Sequence, residues 1–123
     1  MSKIVRFEDI EAWKKARVLV NKIYSVTEIN IHFEKDLALK DQIRRAAISV
    51  LSNIAEGFAR QTDKEFKNFL YISSGSNSEL QSQLYVALDL QYINKSEFEE
   101  LFRVSEETAK LIQGFIKYLT VKD

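Results

Sequence analysis

The sequence predicts an all-α protein, an antiparallel up-and-down four-helix bundle. Three observations carry that expectation. The chain has no proline and only three glycines in 123 residues, so the residues that most readily break or turn a helix are scarce. Four stretches place apolar residues at spacings of three and four, the pattern of a helix with one buried face. The short breaks between them carry residues that cap helix ends.

In chain order, residues 1–6 set Lys3 and Arg6 around Ile4 and Val5 and read as a short tail or docking arm. Phe7 precedes the acidic turn Glu8, Asp9 and Glu11, where the positive end of a helix dipole favours carboxylates. A first helix is expected over about 8–28, with Trp13, Ala16, Val20, Ile23 and Thr27 inward and Ala12, Leu19 and Val26 widening the stripe. INIHFEKD, residues 29–36, breaks the period and reads as the longest loop, with Ile31 and Phe33 tucked against the bundle. A second helix starts near Asp36 or Leu37 and runs past Gly57 to about Arg60, on a stripe of Leu39, Ile43, Ala46, Ala47, Val50, Ile54 and Phe58.

Thr62 and Glu65 form the Thr-x-x-Glu pattern of a capping box, in which each side chain satisfies a free backbone N–H. They open a third helix over about 63–91. Its seam of Phe66, Leu70, Ser73, Asn77, Leu80, Leu84 and Ala87 is nearly a strict heptad. The run SSGSNSE inside it is weak in helix propensity and, alone, suggests a loop; the unbroken heptad phase favours one helix. Ser96 with Glu99 reads as a second capping box, opening a fourth helix over about 97–119. Its seam is Phe98, Leu101, Ser105, Thr108, Ile112, Phe115 and Leu119, with Phe102, Ala109 and Ile116 beside it. Helices of these lengths joined by short loops make a single bundle domain over 1–123. The broad apolar arcs, and aromatics such as Phe58, Phe69, Tyr71, Tyr85 and Tyr92 near the outer edges, suggest self-association.

Composition excludes several functions. Eighteen Lys plus Arg balance eighteen Asp plus Glu, so the chain lacks the overall basic excess usual in nucleic-acid binders, and any polyanion site must be a local patch. With no cysteine and one histidine, His32, neither thiolate metal ligation nor a Ser-His-Asp or Cys-His arrangement is available. A di-iron bundle needs two Glu-x-x-His pairs, and the isolated glycines form no phosphate loop. No catalytic residue, cofactor or metal is expected. There is also no long apolar run for a membrane span and no signal-peptide pattern, so the expected location is the cytoplasm.

Two groups of polar residues remain. Asn53 and Glu56 interrupt the apolar run of the second helix, and Asn77 and Glu79 that of the third. They read as a structural polar core that fixes register, with contacts from Arg44 or Arg45 to Glu79 allowed across the hairpin. Lys40, Arg44, Arg45, Arg60, Lys64 and Lys67 bias the second helix and the following turn toward positive charge. Repeated around a ring, that patch becomes a band able to grip phosphates; alone, it equally describes an ordinary solvated face.

F-x-D-I-x-A-W-x-K-A at Phe7 to Ala16, D-Q-I-R-R-A-A-I-S-V at Asp41 to Val50, N-I-A-E-G at Asn53 to Gly57, Glu65-Phe66, and S-G-S-x-S-E-L at residues 74–80 together resemble the four-helix bundle protein family. These proteins are also called S23, or 23S rRNA intervening-sequence, proteins. The resemblance covers essentially the whole chain. It implies an up-and-down bundle assembling as a ring-shaped homopentamer, with no established enzymatic activity. Relatives are encoded within sequences interrupting bacterial 23S rRNA genes, or serve beside reverse transcriptases, where a basic surface contacts nucleic acid and the polymerase. The family's loop before the second helix has a proline after the phenylalanine, whereas Phe33 here is followed by Glu34. The expected function is a non-enzymatic, homo-oligomeric scaffold that binds RNA or DNA through the six basic residues. The alternative is a protein-interaction module recruiting a partner through exposed aromatics.

Overall fold

A computed structural model describes residues 4–122. Four helices, α1 (Glu11–Ile29), α2 (Leu37–Phe58), α3 (Asp63–Asp89) and α4 (Lys95–Val121), follow one another up and down, with 3-10 turns at Phe7–Asp9 and Ile31–Lys35. Each helix packs against its two neighbours, α1 closing the square onto α4, and the backbones of the diagonal pairs α1/α3 and α2/α4 stay more than 8 Å apart between Cα atoms. No strand occurs among the described residues. Lys3 of the expected N-terminal arm lies outside them, while Ile4 packs on the lower core with Phe7 and Trp13.

Helix boundaries differ from the sequence expectation where tertiary burial outweighs local pattern. Helix α1 starts at Glu11, not residue 8, because Ile10 is fully buried in an extended conformation (φ −76°, ψ 121°), and the acidic residues before it form the 3-10 turn instead. Asp36 caps α2, its carboxylate accepting from the Leu39 N–H at 3.1 Å. The segment before it is a 3-10 turn that buries Phe33 and leaves Ile31 exposed, so only one of that expected pair is tucked in. Thr62 accepts from the Glu65 N–H at 3.1 Å.

Helix α3 is continuous through SSGSNSE, and its seven buried residues are the heptad seam read from the sequence. It ends at Asp89 because Gln91 takes the left-handed conformation (φ 62°). The Tyr92 N–H then donates to Ala87 O and the Gln91 N–H to Leu88 O, both at 2.9 Å, a Schellman closure without the usual glycine. The capping box of α4 is Asn94 with Glu97, two residues before the expected Ser96 and Glu99, and both of its hydrogen bonds are made.

The core has two apolar halves. One gathers Leu19, Ile23, Phe33, Ile43, Leu80, Leu84, Ile93 and Leu101; the other gathers Ile10, Val50, Ile54, Phe66, Leu70, Ile112 and Leu119. Between them lie the buried Ser73, Asn77, Ser105 and Thr108. Asn77 donates to Ser105 O at 2.9 Å and accepts from the Ser105 hydroxyl at 2.7 Å. Ser73 donates to Val50 O at 2.7 Å. The hydroxyl of Thr108 donates to Val104 O within its own helix, so every member of the layer has a partner.

Close approach of α2 to α3 depends on small residues. A Cβ on Gly57 would lie 2.8 Å from both Phe66 Cδ1 and Phe69 Cβ and 3.1 Å from Phe66 O. The α1–α4 seam is tied by Lys15–Glu107 at 3.1 Å and Lys22–Glu100 at 2.5 Å, whose hydrogen bonds hold both carboxyls below the usual carboxylate range. At the upper end Tyr92 donates to Asp36 at 3.0 Å, which raises its hydroxyl pKa.

Gly57→Ala is expected to lower stability by about 1–3 kcal/mol through overpacking, despite alanine's better helix propensity. Gly114→Ala, whose Cβ meets nothing within 4 Å, raises it by up to about 1 kcal/mol. Thermal or urea melts of both variants check the contrast, and equal effects would contradict the close-approach account. In a double-mutant cycle, Asn77→Ala and Ser105→Ala should couple by about 0.5–3 kcal/mol; simple additivity would remove the pair's role.

Candidate nucleic-acid interface

The six basic residues fall into two groups on the α2–α3 hairpin. Lys40, Arg44 and Arg45 sit in the first half of α2, and Arg60, Lys64 and Lys67 surround the turn into α3. At 1.5 Å per helical residue the groups are about 22 Å apart along the axis from Arg45 to Arg60, so one copy presents two small patches.

Their environments differ. The Arg44 guanidinium is largely covered: it donates to the Thr27 hydroxyl at 2.9 Å, pairs with Glu28 at 3.3 Å and lies 4.3 Å from the centre of the Tyr24 ring. Lys40 shares Glu28 at 3.7 Å and is 18% exposed. These two therefore pin α2 to α1. Arg45 is 81% exposed, its only ion pair among the described residues being Asp41 one turn earlier. Arg60 pairs with Glu56 at 2.9 Å and its guanidinium sits 4.5 Å from the Phe69 ring centre. Lys64 is exposed and Lys67 half-buried, and neither joins an ion pair among the described residues. Exposed pairs such as Arg45–Asp41 are worth only about 0–1 kcal/mol, so these carboxylates do not lock the cations away from phosphate.

The expected polar core divides. Asn77 is buried, but its partner is Ser105 on α4 rather than an arginine of α2. Asn53 is half-buried and donates to the backbone and hydroxyl oxygens of Ser49 at 2.8 and 2.9 Å. Ser49 in turn reaches the Ser76 hydroxyl of α3 at 2.7 Å. Glu56 and Glu79 are exposed and do not belong to a core. Glu56 lies two residues beyond the buried Ile54 and Glu79 two beyond the buried Asn77, a rotation of about 200° at 3.6 residues per turn. Glu79 forms no ion pair with Arg44 or Arg45; it lines an open depression with both of them, together with Tyr24, Asp41, Ile48, Ser49 and Ser76. Sequence reasoning missed Tyr24, Thr27 and Glu28 as partners of Arg44. Counting equal distances from the 30–36 connection puts Lys22 opposite Arg44, so that count does not find Thr27 and Glu28, which lie more than one turn nearer the connection.

Among the described residues no group of three or more His, Cys, Asp or Glu is placed to hold a metal ion. His32 stacks on Tyr92, ring centres 5.7 Å apart and 7° from parallel, a packing role. No helix among the described residues is long and apolar enough to cross a membrane.

None of the curated proteins compared with this chain matches it significantly. A crystal structure of a protein of unknown function from the S23 ribosomal protein family of Bacteroides thetaiotaomicron superposes with a TM-score of 0.80, covering 86% of this chain and 98% of that one at 24% identity. That likeness is one of fold. The sequence profile of the 23S rRNA-intervening sequence protein family matches residues 8–114. Because the match takes in nearly all of the four helices and the motifs along them, the chain belongs to the 23S rRNA-intervening sequence protein family.

Proposed function

We propose that this protein is a non-enzymatic helical scaffold that assembles with copies of itself and holds RNA or DNA by its phosphates. The observation that carries the reading is the pair of exposed cationic patches on one hairpin, Arg45 on α2 and Arg60, Lys64 and Lys67 around the turn into α3. Arg45 and Arg60 stand 81% and 43% exposed, and Lys64 and Lys67 join Arg60 in the patch at the turn. A neutral chain binds polyanions weakly as a single copy. Copies arranged in a ring, a homopentamer as the resemblance implies, align their patches into a band and multiply the field. The contacts expected of such patches are to phosphates, which position a nucleic acid without reading its sequence. A partner of this kind fits a cytoplasmic protein.

The second reading, recruitment of a protein partner, is favoured by Tyr71, which is 56% exposed on the outer side of α3. Tyr85 serves it less well, because its ring already packs on Phe98 and Phe102.

The two readings part in one experiment. Fluorescence anisotropy with labelled RNA and DNA across a salt series should show affinity falling as salt rises. Arg45→Glu, Lys64→Glu and Lys67→Glu should each weaken binding for all sequences alike and shrink the salt slope by about one unit per lost phosphate contact. Absence of binding at low salt, or binding indifferent to all three reversals, would overturn the nucleic-acid reading. A protein captured equally well after nuclease treatment, and lost in Tyr71→Ala, would establish the second.

A further inference from the structure

We infer that the nucleic acid held by this protein is single-stranded, with an unpaired base seated in the depression on the outer side of α2 between the rings of Phe7 and Phe69. The inference rests on the phosphate-holding function just proposed and names the form of nucleic acid that the hairpin takes.

Two aromatic walls and a low floor make the seat. At the end of α2, Ser52, Ala55 and Ala59 line an open depression of about 630 Å³ whose sides include Phe7 and Phe69. Phe7 belongs to the 3-10 turn ahead of α1, which lies against α2. Phe69 comes from α3, and it reaches α2 because Gly57 has no side chain: a Cβ there would lie 2.8 Å from Phe69 Cβ. Both rings are only half-buried, so each keeps apolar surface for something outside the chain.

The charges around the depression select its occupant. Beyond the Phe69 wall stands Arg60, its guanidinium 4.5 Å from the ring centre, and Lys64 is exposed four residues further on. On the other side Arg6, next to Phe7 in the chain, is 71% exposed. The one acidic residue in the depression, Glu56, accepts from one terminal nitrogen of Arg60 at 2.9 Å, leaving the other donors of the guanidinium for phosphate. A nucleotide within a strand has parts to match: a flat base for the rings, and phosphates before and after it for the cations beyond the walls. Cations tracking the backbone beside aromatic rings that stack bases are the combination by which single strands are held.

Pairing decides which form of nucleic acid can use the seat. Inside a duplex each base is stacked and paired, and it reaches a protein ring only if it is pulled out of the helix. An unpaired strand has no such cost.

The test uses the full chain and two labelled single strands of equal length and equal phosphate number, compared by fluorescence anisotropy at low salt. One is an ordinary oligodeoxynucleotide; in the other every base is replaced by an abasic tetrahydrofuran spacer. The wild-type protein is expected to bind the base-bearing strand about 5- to 150-fold more tightly, the range of base–aromatic stacking. Phe69→Leu, which keeps apolar bulk against Gly57, should lose most of that advantage while binding the abasic strand and a duplex as wild type does. Phe69→Tyr, which keeps the ring, should retain the advantage, and circular dichroism checks the helicity of both variants. Equal binding of the two strands by wild type, as a depression covered by another copy of the chain would give, overturns the base seat and leaves the phosphate contacts standing. So does an advantage that survives Phe69→Leu, or one lost equally in Phe69→Tyr. A wild-type protein that binds neither strand and no duplex at low salt overturns the phosphate-holding function itself.

Discussion

The reciprocal hydrogen bond between Asn77 and Ser105 is the constraint to which the rest of the bundle is fitted. Two polar side chains buried in an apolar core are tolerable only when each satisfies the other, and only one axial offset of α3 against α4 allows it. The other contacts along that seam keep the same offset: Phe66 meets Phe115 below, and Tyr85 meets Phe98 above. A purely apolar seam could slide by a turn at modest cost. This one leaves two unsatisfied polar groups if it slides, each costing about 1–3 kcal/mol.

Around that level the side chains are small. Ala16, Ala46, Ala47, Ser73 and Ser105 are buried there or nearby, while the large residues collect in the two halves of the core. Alignment and packing are thus separated in space: the middle layer specifies register, and the ends supply most of the apolar burial. The arginines show a similar division. Arg44 directs its hydrogen bonds to Thr27 and Glu28 and fixes α2 to α1, whereas Arg45, one residue and about 100° of helical rotation away, is left to solvent.

Much of this was legible in the sequence, for physical reasons that differ by element. The seam of α3 could be read residue by residue because burial follows a period close to 3.5 wherever a helix packs along its length. The cap at Thr62 could be read because a short oxygen-bearing side chain before a periodic run has few other uses, although only the Thr62 half of the expected box is made. The start of α4 was ambiguous, since Asn94-x-x-Glu97 and Ser96-x-x-Glu99 both fit a capping box; burial of Ile93 and the left-handed turn at Gln91 decide between them, and both are tertiary matters. Glu56 and Glu79 were within reach of helical rotation, two residues past a buried neighbour, yet proximity to Asn53 and Asn77 in the chain suggested a shared environment. Which cations are free and which are engaged was out of reach, because Glu28 enters the question only when α1 and α2 are laid side by side.

An even number of helices in alternation returns the chain to the end at which it began. Lys122 bonds Asp63 at 3.4 Å beside the α2–α3 turn, and Ile4 lines the same end with Phe58 and Phe115. Residues 4 and 122 could therefore be joined by a short linker and the chain opened at another connection, with every helix still beside its present neighbours. For this bundle, circular order around the core carries the fold; the point at which the polypeptide is cut does not.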